Sequence, residues 1–139
     1  MKLATITVAI AATFMAGCAS VTTQSLRDHP NLTNDELCRQ VGHMRSREPR
    51  MPDTIAAIDL AIERKAIDGN KRQSIIDQDI GVGMSKCEVL ASWGVPDRTN
   101  SRTSPRGTTE GWWYGVLGRY SKRQLVWFDQ TGRVYSISD

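Results

Sequence analysis

"GVGMSKCEVLASWGVPDR", residues 81–98, is the stretch on which the reading of this chain turns. Two glycines precede a helical pattern, and Cys87 stands where a helix dipole would lower its pKa. A phosphate cradle, a thiol nucleophile and a well-capped helix can all begin this way. The spacing favours the helix. Ser85 and Glu88 form the capping box S-K-C-E, in which each side chain satisfies a backbone N–H that the first turn leaves without a partner. Met84 and Val89 occupy the hydrophobic-staple positions, and Val89, Leu90 and Trp93 supply a face to bury. Gly94 suits a left-handed terminus, and Pro96 blocks continuation. Gly81 and Gly83 lack the G-x-x-x-x-G-K-[ST] spacing of a phosphate loop. The imidazoles that a thiolate would need, His29 and His43, lie in or near the N-terminal third. Each residue that looks catalytic has a structural role, and the stretch predicts a helix over 85–93.

Downstream, residues 97–111 read as a polar loop carrying three arginines. Three strand-like runs follow at 111–117, 123–129 and 133–138, the last two joined by the hairpin turn Asp129-Gln130-Thr131-Gly132. Alternation places Trp112 and Tyr114 on one face of the first strand, and Leu125 and Trp127 on one face of the second. Three antiparallel strands need a second layer, and the helix at 85–93 is the available cover. The tryptophans read as core and sheet surface rather than as a ligand platform. The fold class is therefore α+β: helices followed by a three-stranded antiparallel sheet with one face covered by helix.

Upstream, Thr33 and Glu36 form another capping box, with Leu32 and Leu37 at its staple positions. Leu37, Val41 and Met44 then recur at helical spacing, which predicts a helix over 33–45. The basic, proline-containing stretch after it is a loop. Asp53 is placed to cap a second helix over 54–68, with Gly69 placed to end it. Residues 32–70 thus form a helical segment ahead of a domain at 79–139.

The N-terminus speaks to location. Lys2 is followed by an uncharged, mostly apolar run over 3–16, too short to span a membrane as a helix of about 20 residues and suited to a signal peptide. Met15-Ala16-Gly17-Cys18 resembles the bacterial lipobox, with Met where Leu is usual. That resemblance implies cleavage between Gly17 and Cys18 and a lipid on the Cys18 thiol. An ordinary signal peptide, or an uncleaved anchor, with a chance cysteine is the plainer alternative. Ala19 stands where lipoproteins kept at the inner membrane usually carry Asp, so the resemblance implies the outer membrane, facing the periplasm. Removing residues 1–17 leaves 122 residues, enough for one domain with a modest core. It also removes Lys2 and lowers the formal charge from +3 to +2, too little to imply a polyanion, and a secreted location argues against nucleic acid. Residues 18–31 read as a polar tether. Cys38 and Cys87 remain as a pair, and two readings stay open: a disulfide, or two separately buried thiols.

Gly83-Met84-Ser85, Gly94-Val95-Pro96, Trp112-Trp113-Tyr114, and Phe128 with Gly132 and Val134 together resemble the SmpA/OmlA domain of BamE-type bacterial lipoproteins. The resemblance covers about 79–138, and residues 32–70 lie outside it. It implies an ααβββ layout, no enzymatic activity, no cofactor, and a scaffold role in outer-membrane protein assembly through partner proteins and anionic phospholipid. The same layout serves in secreted proteins that inhibit other proteins, and a surface or phage-encoded lipoprotein without an assembly role is a further reading.

The residues themselves offer one candidate surface. Arg98, Arg102, Arg106, Arg119, Lys122 and Arg123, against Asp97 and Glu110, give residues 97–123 a net charge of +4. This is either a solvated loop or a contact for anionic head groups or an acidic partner. A small envelope hydrolase is the rival class. Glu88, Glu110 and Asp129 are the carboxylates it would draw on, since glycan cleavage needs two about 5–9 Å apart. His29 and His43 make no zinc-ligand pattern with their neighbours, so no metal site is expected.

Overall fold

A computed structural model of the chain describes residues 21–116 and 123–139. The expected signal peptide, the expected cleavage site at Gly17 and Cys18, Arg119 and Lys122 lie outside the described residues. The helices are α1 (Thr23–Arg27), α2 (Asn34–Arg47), α3 (Pro52–Glu63), α4 (Arg72–Ile76, preceded by a single 3₁₀ turn) and α5 (Lys86–Trp93). The strands β1 (Arg98–Ser104), β2 (Gly107–Tyr114), β3 (Gln124–Phe128) and β4 (Val134–Ser138) follow in an antiparallel sheet of order β1-β2-β3-β4. The class is α+β.

Both capping boxes close in the structure. Thr33 Oγ1 accepts from the Glu36 N–H at 3.3 Å while the Glu36 carboxylate accepts from the Thr33 N–H at 2.9 Å. Ser85 Oγ accepts from the Glu88 N–H at 3.2 Å, and Glu88 Oε2 accepts from the Ser85 N–H at 2.8 Å. The two helices they start, α2 and α5, pack side by side and run parallel. Cys38 is disulfide-bonded to Cys87, with their Cα atoms 5.1 Å apart. One turn on, a methyl on Gly42 would stand 3.1 Å from Leu90 Cδ2. One turn further, Ser46 Oγ accepts from the Val95 N–H at 2.8 Å. Cys38, Gly42 and Ser46 recur every fourth residue, so a single stripe of small side chains admits α5 along its whole length. The disulfide spans 49 positions, a loop whose closure stabilises the fold by about 4 kcal/mol in the chain-entropy account.

Arg45 joins three of the helix ends. It is 2 % exposed. Its guanidinium donates to the Ser92 carbonyl at 2.8 Å, to those of Ile75 and Ile76 at 2.6 and 2.8 Å, and to that of Pro49. These acceptors lie in the last turns of α4 and α5 and in the loop after α2. The planar five-donor fork of arginine satisfies carbonyls that the helix ends leave unpaired.

The inner face of the sheet carries Trp112, Tyr114, Val126, Phe128 and Val134, all buried, and α5 lies against it. Trp93 meets Tyr114 edge to face at 5.2 Å, the Tyr114 hydroxyl donates to the Gly94 carbonyl at 3.1 Å, and Lys86 Nζ sits 5.8 Å above the Phe128 ring. The buried core is continuous from Leu26 through α2, α3 and α5 to Val134. The helical segment at 32–70 and the region from 79 onward therefore share one core.

Several boundaries differ from the expectation. The sheet has four strands, because the polar loop expected at 97–111 is a hairpin formed by β1 and the start of β2. All seven residues of β1 are exposed, so it carries no apolar alternation to read. The tether expected at 18–31 contains α1. Leu26 is buried, and the Thr23 N–H donates to the Asp53 carboxylate at 3.1 and 3.2 Å. Asp53 is thereby drawn away from capping, and α3 starts from Met51 with Pro52 in its first turn. The second helix stops at Glu63 rather than at Gly69: Lys65 takes φ 57°, and the Ala66 N–H reaches back to the Ala61 carbonyl at 2.9 Å. That is a Schellman terminus closed without glycine.

Candidate functional site

The disulfide answers the question raised by Cys87, whose sulfur is bonded to Cys38 at the start of a structural helix. The carboxylates are likewise engaged. Glu88 is 3 % exposed and accepts from the Ser85 and Asp68 N–H groups at 2.8 and 3.1 Å. Glu110 accepts from Lys86 Nζ and from the Trp112 indole N–H. Burial alone would raise the Glu110 carboxyl, but these two donors and the Lys86 charge hold it below its usual range. Asp129 accepts from the Thr131 hydroxyl and from the Arg133 and Thr131 N–H groups; these bonds, led by the hydroxyl, hold its carboxyl low and form the β3–β4 turn. Among the described residues, no group of three or more His, Cys, Asp or Glu side chains is placed to hold a metal ion.

The basic residues form an extended row rather than a cluster. Arg98 and Arg102 share the outer face of β1, opposite Trp113 and Thr109 of β2. Four positions apart on a strand, they stand about 13 Å from each other. Arg106 lies in the two-residue turn at one end of the hairpin. That turn is held by Ser104 Oγ, which accepts from the Arg106 N–H at 3.3 Å and donates to the Gly107 carbonyl at 3.2 Å. Arg123 precedes β3 at the opposite end of the sheet. All four are exposed. Among the described residues the ion pairs join Arg27 to Glu63, Arg72 to Asp59 and Lys86 to Glu110, and these four arginines enter none of them.

Beside this row lies an apolar strip, arranged by the alternation that the sequence predicts. Trp113, Leu125 and Trp127 occupy the outer face, half-buried, while Trp112 and Tyr114 face inward. Gly111 leaves room for Asn100 and Trp127 to meet above it: a methyl there would stand 2.5 Å from Asn100 Oδ1 and 3.0 Å from Trp127 Cζ3. The signal for this strip was the pair Trp112-Trp113, whose adjacent members must point to opposite faces. A cleft of about 420 Å³ opens between α2, the start of α3 and the residues leading into α1, lined by Val21, Gln40, His43, Met44, Arg47 and Asp53 among others. Among the described residues, no helix is long and apolar enough to cross a membrane.

Comparison of the chain with protein-family models, with curated proteins and with solved structures finds no significant match.

Proposed function

We propose that the chain is a lipid-anchored protein of the bacterial cell envelope that acts as a non-enzymatic binding or scaffold module. The observation that carries this reading is the N-terminus, where a short apolar run ends at Met15-Ala16-Gly17-Cys18. The Cys38–Cys87 disulfide supports it, since such bonds persist in oxidising compartments. A role in outer-membrane protein assembly or envelope integrity rests on the SmpA/OmlA resemblance of the region from Gly83 to Val134. The outer membrane, assembly proteins and anionic phospholipid enter on the same ground. The second reading, an interaction or inhibitor module of a surface lipoprotein, draws on the exposed basic hairpin of β1 and β2.

Labelling cells with a fatty acid tests the anchor. The wild-type chain takes up label and fractionates with the outer membrane, whereas Cys18→Ser remains an unlabelled precursor. A Cys18→Ser chain that labels and fractionates like the wild type overturns the lipoprotein reading. Crosslinked capture from membranes then separates the two roles: recovery of outer-membrane assembly components supports the first, and recovery of a soluble target protein supports the second.

A further inference from the structure

We infer that the open edge of β1 is a docking edge for an extended, acidic segment of a partner protein, which joins the sheet as an added strand. This rests on the reading of the chain as a binding module and names the surface and the chemistry of what it binds.

The two edges of the sheet are treated differently. The β4 edge is closed at its start by residues 83–85: the Gly83 N–H donates to the Val134 carbonyl at 2.7 Å, and the Val134 N–H donates to the Met84 carbonyl at 2.8 Å. The β1 edge pairs, among the described residues, with β2 alone. Every second residue of such a strand directs its N–H and C=O away from the sheet, towards any strand that arrives. Proteins commonly blunt free edges with a proline, a bulge or charged side chains, the last of which repel like-charged edges but not a segment of opposite sign. Here the register from Arg98 to Ser104 is unbroken, and Pro105 falls just beyond it in the turn. The edge is long, regular and wholly exposed.

Charge decides the occupant. Residues 98–106 contain Arg98, Arg102 and Arg106 and no carboxylate. A second copy paired edge to edge would bring two such rows together, and like charges across a strand pair are destabilising. The arginines that keep copies apart select a segment of opposite sign. Arg98 and Arg102 point to one face, so an incoming strand with carboxylates at alternate positions would answer both while its backbone pairs with β1. An anionic membrane would satisfy the arginines but leave the backbone edge unused, so the geometry favours a peptide strand.

The test uses the mature, lipidated chain in detergent. The probe is a capped peptide as long as β1 that alternates Glu with Val, compared with its Gln–Val counterpart and with phosphatidylglycerol vesicles. Binding of the Glu–Val peptide slows amide hydrogen exchange across 98–104, and the Gln–Val peptide binds more weakly. Arg98→Glu with Arg102→Glu weakens binding by about tenfold or more, and Arg98→Gln with Arg102→Gln falls between. Both pairs lie on exposed positions, and an unchanged far-UV spectrum verifies the fold. Equal binding of the two peptides, protection elsewhere than β1, or no peptide binding overturns the inference. So does vesicle binding that depends on these arginines while the peptide fails to bind. Fatty-acid labelling at Cys18 reads out the anchored-module proposal separately, so failure here with labelling intact removes the docking edge alone.

Discussion

Gly94 closes α5 directly against Ser46 of α2: a methyl on Gly94 would stand 2.3 Å from Ser46 Oγ and 3.0 Å from its backbone nitrogen. Gly94 also holds φ 84° and ψ −163°, a region essentially reserved for glycine. Gly94→Ala therefore meets backbone strain and a steric clash at the same point. A loss of about 3 kcal/mol is expected in urea denaturation. A loss below about 0.5 kcal/mol, within the range of ordinary surface substitutions, would show that α2 and α5 are not packed this closely.

Arg45 is the second fixed point of the same interface. Arg45→Leu keeps much of the side-chain volume but leaves the carbonyls of Ser92, Ile75 and Ile76 without their donor. The expected cost is about 3–5 kcal/mol, because each buried carbonyl left without a donor costs about 1–3 kcal/mol. Arg45→Lys should recover little, because one ammonium cannot span acceptors on three elements. Thermal unfolding of both variants checks this, and near-wild-type stability of the lysine variant would contradict the assignment.

Lys65 gives a prediction of opposite sign. It is exposed and occupies the left-handed position of the Schellman terminus that ends α3. Glycine adopts that conformation without a Cβ penalty, so Lys65→Gly should stabilise the protein by about 0.5–1 kcal/mol despite the greater freedom of its unfolded chain. A destabilised variant would place the end of α3 elsewhere.

These residues also show what the sequence disclosed and what it withheld. The capping boxes at Thr33 and Ser85 are short, local and strongly patterned, so the starts of α2 and α5 could be read directly. The ends of α3 and α4 could not, since Lys65 and Gln78 carry positive φ where glycine is the usual mark. β1 escaped because a strand exposed at every position has no hydrophobic period, although Thr99, Thr103, Thr108 and Thr109 favour extended backbone in its hairpin. α1 escaped because its ties to Asp53 are tertiary. Of the candidate surface, the arginines were legible as charge, but their arrangement as a row along a free edge depended on β1 being a strand.

Glu110 makes acid stability informative. Its folded carboxyl lies below the ordinary value of 4.5 because Lys86 and Trp112 outweigh the effect of burial. A group lowered on folding contributes stability that is present above its unfolded pKa and is lost as pH falls through the folded one. Stability should therefore decline as pH drops below about 4.5, and Glu110→Gln should flatten that decline while lowering stability at pH near 7. An unchanged acid limb in the variant would contradict the Lys86–Glu110–Trp112 arrangement.

The central claim, an envelope lipoprotein whose helices are bonded to its sheet domain, meets its most direct test in the intact mass of the protein extracted from membranes without reductant. The expected species begins at Cys18, carries a diacylglyceryl modification, and is lighter by two hydrogen atoms than the fully reduced chain. Reduction should then release two thiols, assignable to Cys38 and Cys87. An unmodified chain beginning at Met1, with both thiols free before reduction, would contradict the account.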